Sequence, residues 1–326
     1  MQSAVLFIVF NRPDTTRQVF EAIRAAKPPR LYVAADGPRA DRQGERERCE
    51  EVRRIATAVD WDCEVKTLFR EKNIGCKIGV SSGIDWFFEN EGKGIILEDD
   101  CLPSQSFFLF CEEMLSFYQD DDQVMAVTGT NITKGLTFHG DYFFSKYSLM
   151  WGWATWANAW RQYDRKMLDW PAFERNNGLK NLRMGGLPFI TTWTNILQRT
   201  YVGEIDTWDY QWIYTCLKNN GLTVAPSKNL ISNLGFSEDA THTSGNDPIL
   251  SHLQLNELTW PLKHATDCYS HLAADKFISK YWFHISWLAL IKKMLISIPA
   301  IKVINYYRKK FFYSWGRLQN SLKKRE

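Results

Sequence analysis

An α/β fold, with helices covering both faces of a mostly parallel sheet, is the class this sequence predicts, and three observations carry it. Short apolar runs alternate with segments of helical periodicity through the first half of the chain. Each apolar run ends in a small polar cluster, the arrangement found where parallel strands open into a ligand crevice. The composition, 45% apolar and 14% aromatic over 326 residues with no low-complexity tract, is enough for a full core.

The elements follow in order. Ala4 to Phe10, AVLFIVF, is the first expected strand. After Asn11-Arg12-Pro13 a helix carries Val19, Phe20 and Ile23 on one face. Pro13 suits its first turn, where the missing N–H has no helical partner to lose. Leu31 to Gly37, LYVAADG, is a second strand, and the charged RADRQGERERCEEVRR after it reads as a solvated loop and helix face. Cys63 to Arg70 is a third strand, and a helix over roughly Cys76 to Phe88 leads to a fourth, GIILEDD. Strand ends therefore bring Asn11-Arg12, Asp36-Gly37, Asn73-Ile74-Gly75 and Glu98-Asp99-Asp100 to one edge.

Beyond Asp122 come the shorter runs MAVTGT and YFFSKY, the tryptophan-dense WGWATWANAW, and helices near Leu187–Tyr201 and Trp208–Lys218. No repeat and no linker precedes Asp247-Pro248. Residues 1–245 are thus expected to form one globular unit and residues 246–326 a basic, aromatic-rich helical region.

Composition excludes several classes. Seven cysteines without paired spacing do not make a disulfide framework, and no Cys/His cluster suggests zinc, so a reducing compartment is expected. The start, MQSAVLFIVFNRPD, lacks the basic segment of a secretory signal and its apolar run is too short to span a bilayer, which points to the cytoplasm. From Lys276 onward there are twelve Lys/Arg and one acid, a net +11, so the preceding residues sum to −8 of the chain's +3. The basic balance is therefore not evidence for nucleic-acid binding by the main domain, and no nucleic-acid partner is expected.

The carboxylate triplet is the strongest chemical signal. Strand alternation would aim Glu98 and Asp100 together and Asp99 away. Burying such charges uncompensated costs on the order of several kcal/mol each. A divalent cation relieves that cost, and hard oxygen ligands suit Mg²⁺ or Mn²⁺, completed by water and substrate phosphates. The plainer alternative is an acidic loop ahead of a helix capped by Ser104.

With these residues in place, the sequence resembles nucleotide-sugar glycosyltransferases of the GT-A fold, of the family 2-like bacterial kind. Ile95-Ile96-Leu97-Glu98-Asp99-Asp100 is similar to the EDD form of the DxD metal motif in the N-acetylglucosaminyltransferase I branch. NRP, ADG, NIG, EDD, WGWATW and IDTWDYQW come in the expected order, and the resemblance covers roughly residues 3–245. It implies a three-layer α/β/α fold with a mostly parallel mixed sheet, and an inverting hexosyltransferase that uses a nucleoside diphosphate sugar, with UDP-sugar the expected donor. It further implies that Asn11, Arg12, Asn73 and Lys77 lie beside the nucleotide, with Asp36 on the base and Lys77 within reach of phosphates. Asp99 would hold the ribose, Asp100 would ligate the metal, and Glu98 would orient the donor sugar or a metal-bound water.

An inverting transferase needs a base for the acceptor hydroxyl. Asp209, between two tryptophans and opening a helix, resembles that base, with Asp206 the weaker candidate; both also suit a helix N-terminus. At least one of Trp151 and Trp153 is expected to line the donor or acceptor pocket, with Gly152 letting backbone approach the ligand. His242 is a candidate late metal or diphosphate ligand, against the reading of a solvated loop histidine.

Residues 277–317 interleave aromatics with Lys/Arg but offer no uncharged stretch long enough to span a bilayer. They suit an anionic membrane surface, the alternative being a helix pair packed on the domain or a dimer contact. The expectation is a peripheral protein at the inner face of the cytoplasmic membrane, acting on a glycan or lipid-linked saccharide in surface polysaccharide assembly. Two rival readings are a non-catalytic membrane adaptor of the same fold and a sugar nucleotidyltransferase. NRPDTT, in place of a Gly-rich triphosphate loop after the first strand, argues against the second.

Overall fold

Strand β1 (Ala4–Val9) is buried along its whole length, as a central strand covered on both faces must be. In a computed structural model of the chain, the residues described are 1–235, 250, 253–265 and 267–297. From β1 the chain alternates: α1 (Pro13–Ala26), β2 (Arg30–Ala35), α2 (Glu45–Ala56), β3 (Glu64–Phe69), α3 (Cys76–Asn90) and β4 (Lys93–Glu98). Pro13 opens α1, and Lys27, in the left-handed conformation, closes it. β5 (Cys101–Pro103) and α4 (Gln105–Phe117) follow.

The second half adds β6 (Val124–Thr128), β7 (Tyr142–Ser145), β8 (Trp153–Trp156) and four helices, α5 (Ala157–Trp160), α6 (Trp170–Arg175), α7 (Gly178–Asn181) and α8 (Leu187–Tyr201). Then come α9 (Asp209–Lys218), β9 (Leu222–Pro226), β10 (Ile231–Asn233), α10 (Leu272–Tyr281) and α11 (Trp287–Ser297).

Eight strands make one mixed sheet in the order β3-β2-β1-β4-β8-β6-β9-β7. β1 pairs in parallel with β2 and β4, β2 with β3, and β6 with β9. Only β8 and β7 run against their neighbours. β5 and β10 form a separate antiparallel ribbon with Cys101 opposite Asn233, which fixes the chain just after β4.

Alternation along the strands feeds two cores, one on each face. Val5, Phe7 and Val9 pack with Val19, Phe20, Val52 and Phe107. Leu6, Ile8 and Ile96 pack with Ile84, Phe87, Trp153 and Trp212. Each buried side chain of this size contributes about 1.5–3 kcal/mol. The result is the expected three layers, helix, sheet, helix.

Two local expectations differ. The segment read as a solvated loop and helix face contains α2, whose Glu45, Cys49, Val52 and Ala56 are buried. Ser104 occupies the N-cap position of α4 without a side-chain cap bond. The Glu257 carboxylate caps that helix instead, accepting from Gln105 N at 3.3 Å and Ser106 N at 2.8 Å. The carboxylate triplet is therefore not needed as its cap.

Described residues beyond 245 are built into the same cores. Leu258 and Leu262 join the first cluster and Ile278 and Ile285 the second. The Asp275 carboxylate accepts from Ser145 Oγ at 2.6 Å and Lys146 N at 3.1 Å. α11 leaves Trp287, Leu288, Ile291 and Leu295 exposed. Among the described residues no helix is long and apolar enough to cross a membrane.

Candidate active site

A cavity of about 640 Å³ opens where β1, β2, β3 and β4 end. Phe10 and Arg12 reach it after β1, Asp36 and Arg39 after β2, and Arg70 and Asn73 after β3. Glu98, Asp99 and Asp100 reach it from β4, and Trp151, Asp206 and Asp209 from the second half of the chain. Its size is that of a small-molecule site.

β4 stops at Glu98, and Asp99 and Asp100 occupy the turn before β5, so strand alternation ends two residues earlier than expected and all three acids line the cavity. Phe10 N donates to Asp99 Oδ2 at 3.0 Å. Arg12 Nη1 donates to Asp100 Oδ2 at 2.7 Å and stands 3.6 Å from Asp99 Oδ1. One guanidinium does not balance three carboxylates. Burial, then repulsion from Asp100, Asp99 and Asp209, holds the Glu98 carboxyl well above the usual range. Burial and Asp100 push Asp99 up to about 7, against the opposing pull of Arg12 and the Phe10 N–H.

The donor chemistry fits a hard divalent cation, because clustered carboxylate oxygens carry more negative charge than the protein neutralises. Among the described residues no group of three or more His, Cys, Asp or Glu forms a metal cage. A cation bound at Asp100 would therefore take most of its shell from water and substrate oxygens, as Mg²⁺ does.

Asp36 is committed to the protein itself. Its two oxygens accept from Gly37 N at 2.8 Å, Asn73 Nδ2 at 3.0 Å, Ile74 N at 3.1 Å and Gly75 N at 3.2 Å. These donors fill its four lone-pair directions. Asp36 thus organises the 73–75 loop, and a base reaches it only by displacing one of them. Burial raises its pKa, partly offset by the N–H donors of Ile74, Gly37 and Gly75.

Asn11 and Lys77 are not among the cavity-lining residues. Asn11 Nδ2 turns to Glu45 Oε1 at 2.8 Å, and Lys77 sits in the first turn of α3. Arg39 and Arg70 supply the additional positive charge on the lining. Arg39 is gripped by Glu45, which is fully buried: its N donates to Oε2 at 2.7 Å and its Nη2 to Oε1 at 2.5 Å. Those Arg39 side-chain bonds, then its backbone N–H and Asn11, hold the Glu45 carboxyl down at about 2 against the desolvation that would raise it. The guanidinium also lies 5.5 Å from the centroid of the Phe10 ring.

The tryptophan motif divides. Trp151 lines the cavity. Trp153 does not: it is 1% exposed, with its ring 5.7 Å from Trp208 and 5.5 Å from Trp212. Gly152, at φ +60°, serves a close approach to β10 rather than to a ligand, since a Cβ there would lie 2.3 Å from Ile231 Cδ1.

Asp209 opens α9, and its Oδ1 accepts from Thr207 Oγ1 and, at 2.8 Å, from Tyr210 N. Asp206 lines the same cavity. His242 lies outside the described residues. Sequence reasoning missed Arg39, Arg70, Glu45 and the turn Trp282–His284, which also lines the cavity. For Glu45 a signal existed, because it continues the buried helical series of Cys49, Val52 and Ala56 toward the N-terminus.

No protein-family model matches the chain, and no curated protein matches it. Solved structures do. A mannosyltransferase from Pyrobaculum calidifontis, in complex with GDP-Man and Mn²⁺, is 13% identical with a TM-score of 0.41, over 74% of this chain and 59% of that one. The chain thus spans less than two thirds of that enzyme's length. Mouse xyloside xylosyltransferase 1, in its apo form, is 11% identical with a TM-score of 0.33, over 67% of this chain and 81% of that one. A UDP-glucose pyrophosphorylase complexed with UDP-glucose is 10% identical with a TM-score of 0.36, over 69% and 90%. These neighbours include both glycosyltransferases and a nucleotidyltransferase, and at such scores the chemistry has to be argued from the site itself.

Proposed function

We propose that the protein is a metal-dependent, inverting glycosyltransferase that moves a sugar from a nucleoside diphosphate sugar, UDP-sugar first among them, to a saccharide or lipid-linked saccharide. One observation carries the reading: Glu98, Asp99, Asp100 and Asp209 line a single cavity together with Arg12, Arg39 and Arg70. Carboxylates in excess at one strand end call for a cation. Arginines lining the same cavity suit an anionic, planar nucleotide.

In this reading Asp100 would hold a Mn²⁺ or Mg²⁺ ion, which would offset the charge that grows on the leaving diphosphate. Arg12 keeps Asp99 and Asp100 in register, and Asp99 takes the ribose. Transfer breaks the bond between the anomeric carbon and the diphosphate oxygen and forms one from that carbon to the acceptor oxygen. The acceptor's proton passes to the Asp209 carboxylate, whose orientation is fixed by Thr207 and the Tyr210 N–H. Asp36 and Asn73 shape the nucleotide side of the cavity, and Arg39, set by Glu45, replaces Lys77 in that region.

The experiment is turnover with the wild-type protein and Asp209→Asn. The variant is expected to bind nucleotide as the wild type does and to lose about 10²-fold or more in sugar transfer, the scale of general-base catalysis. Full turnover by Asp209→Asn refutes the assignment, and a wild-type protein that instead joins a nucleoside triphosphate to a sugar 1-phosphate, releasing pyrophosphate, would be a nucleotidyltransferase.

A further inference from the structure

The C-terminal segment does more than pack on the sheet. α10 ends at Tyr281, and Trp282, Phe283 and His284 enter the cavity lining. The turn is firmly built. Trp282 N donates to Ile278 O and Ile285 N to Ser279 O, both at 2.9 Å, while His284 adopts a left-handed φ of +53°. The Phe283 ring lies 5.0 Å from Tyr147 and 4.9 Å from Trp193, and Ile278 and Ile285 are buried on either side. Asp275 ties the same helix to Ser145 and Lys146, a few residues ahead of Trp151.

This arrangement sets Trp282 against Trp151, with ring centroids 4.5 Å apart and planes at 56°. Both tryptophans are half-buried and line the cavity, unlike Trp153, which is sealed in the core. The pair shares its cavity with Glu98, Asp99 and Asp100. An aromatic corner of this kind matches the C–H face of a pyranose ring.

Resting on the transferase reading, we propose that the Trp151–Trp282 corner is the acceptor subsite and that it takes a pyranoside through the apolar face of its ring. The C-terminal segment is then part of the catalytic site, and the acceptor hydroxyl is presented to Asp209 within the same cavity.

The test uses the full-length protein, the nucleotide sugar it binds, and octyl glycosides of glucose, galactose, mannose and N-acetylglucosamine as acceptor probes. Release of nucleoside diphosphate is read with and without each probe. In the wild type at least one glycoside is expected to raise release above hydrolysis by water. Trp282→Ala should lower that stimulated kcat/KM by about tenfold, and Trp282→Phe should retain most of it. Nucleotide Kd should stay within about twofold in both variants, as expected for a contact that donor binding does not use. Unchanged stimulation in Trp282→Ala overturns the assignment. So does an equal loss of nucleotide affinity in Trp282→Phe, and so does a wild-type protein that binds nucleotide yet responds to none of the glycosides. Absence of nucleotide binding in the wild type would instead remove the transferase reading underneath.

Discussion

Glu45 Oε1 accepts from Arg39 Nη2 at 2.5 Å, a pair in which the carboxylate is fully buried and the guanidinium remains 41% exposed on its way to the cavity. The acid belongs to α2 and the arginine to the loop after β2, so one interaction links the packing of a helix to the cation that lines the site.

That link predicts a pH signature. The folded Glu45 carboxyl titrates at about 2, below its ordinary value of 4.5, so its contribution is complete above pH 4.5 and disappears as the pH falls toward 2. Allowing for solvent around Arg39, the contribution is about 2 kcal/mol. Glu45→Gln should lose about that much in urea unfolding at pH 7, and the gap to the wild type should shrink below pH 4.5, to roughly half at pH 3, and close only toward pH 2. A constant gap between the two proteins across this range would contradict it.

The tryptophans predict a contrast between core and wall. Trp153→Ala removes a fully buried ring and should cost about 3–5 kcal/mol, seen as a large drop in the denaturant midpoint. Trp151→Ala trims a half-buried cavity wall and should leave the midpoint much closer to the wild type while impairing transfer. Equal destabilisation by the two changes would return Trp151 to the core.

Membrane attachment is proposed from the exposed face of α11 and the basic chain that follows it. Trp287, Leu288, Ile291 and Leu295 form an exposed apolar set, and residues 298–326 carry eight Lys/Arg and one acid. Each such cation near an anionic leaflet is worth about 1 kcal/mol. Trp287→Glu with Leu288→Glu should abolish flotation with phosphatidylglycerol vesicles and leave binding to neutral vesicles negligible. Flotation unchanged by the double substitution would sink the idea.

Much of this fold was legible because the signals were local. Pro13 marked the start of α1, apolar runs marked β1 to β4, and helical spacing gave the bounds of α8 and nearly those of α9. The convergence of strand ends followed from the parallel topology alone. The rest depended on contacts between distant residues. WGWATW cannot reveal from its own letters that Trp153 points into a stack with Trp208 and Trp212 while Trp151 faces the cavity.

Asp36 shows the same limit from the other side. Position placed it at the crevice, but three of its four partners lie 37 to 39 residues away, in the 73–75 loop, and decide what it can still bind. Trp282 was hidden by composition, since a basic aromatic tail reads as a surface segment until Asp275, Ile278 and Phe283 are seen to anchor it.

The central claim is that Asp100 governs metal-dependent binding of a nucleoside diphosphate sugar. Its most direct test is calorimetric titration of the wild-type protein and Asp100→Ala with nucleoside diphosphates and their sugars, with and without Mn²⁺. The predicted result is nucleotide binding in the wild type that requires the metal and is lost in Asp100→Ala. Binding that ignores both the metal and the substitution, or no binding to any nucleotide, would contradict it.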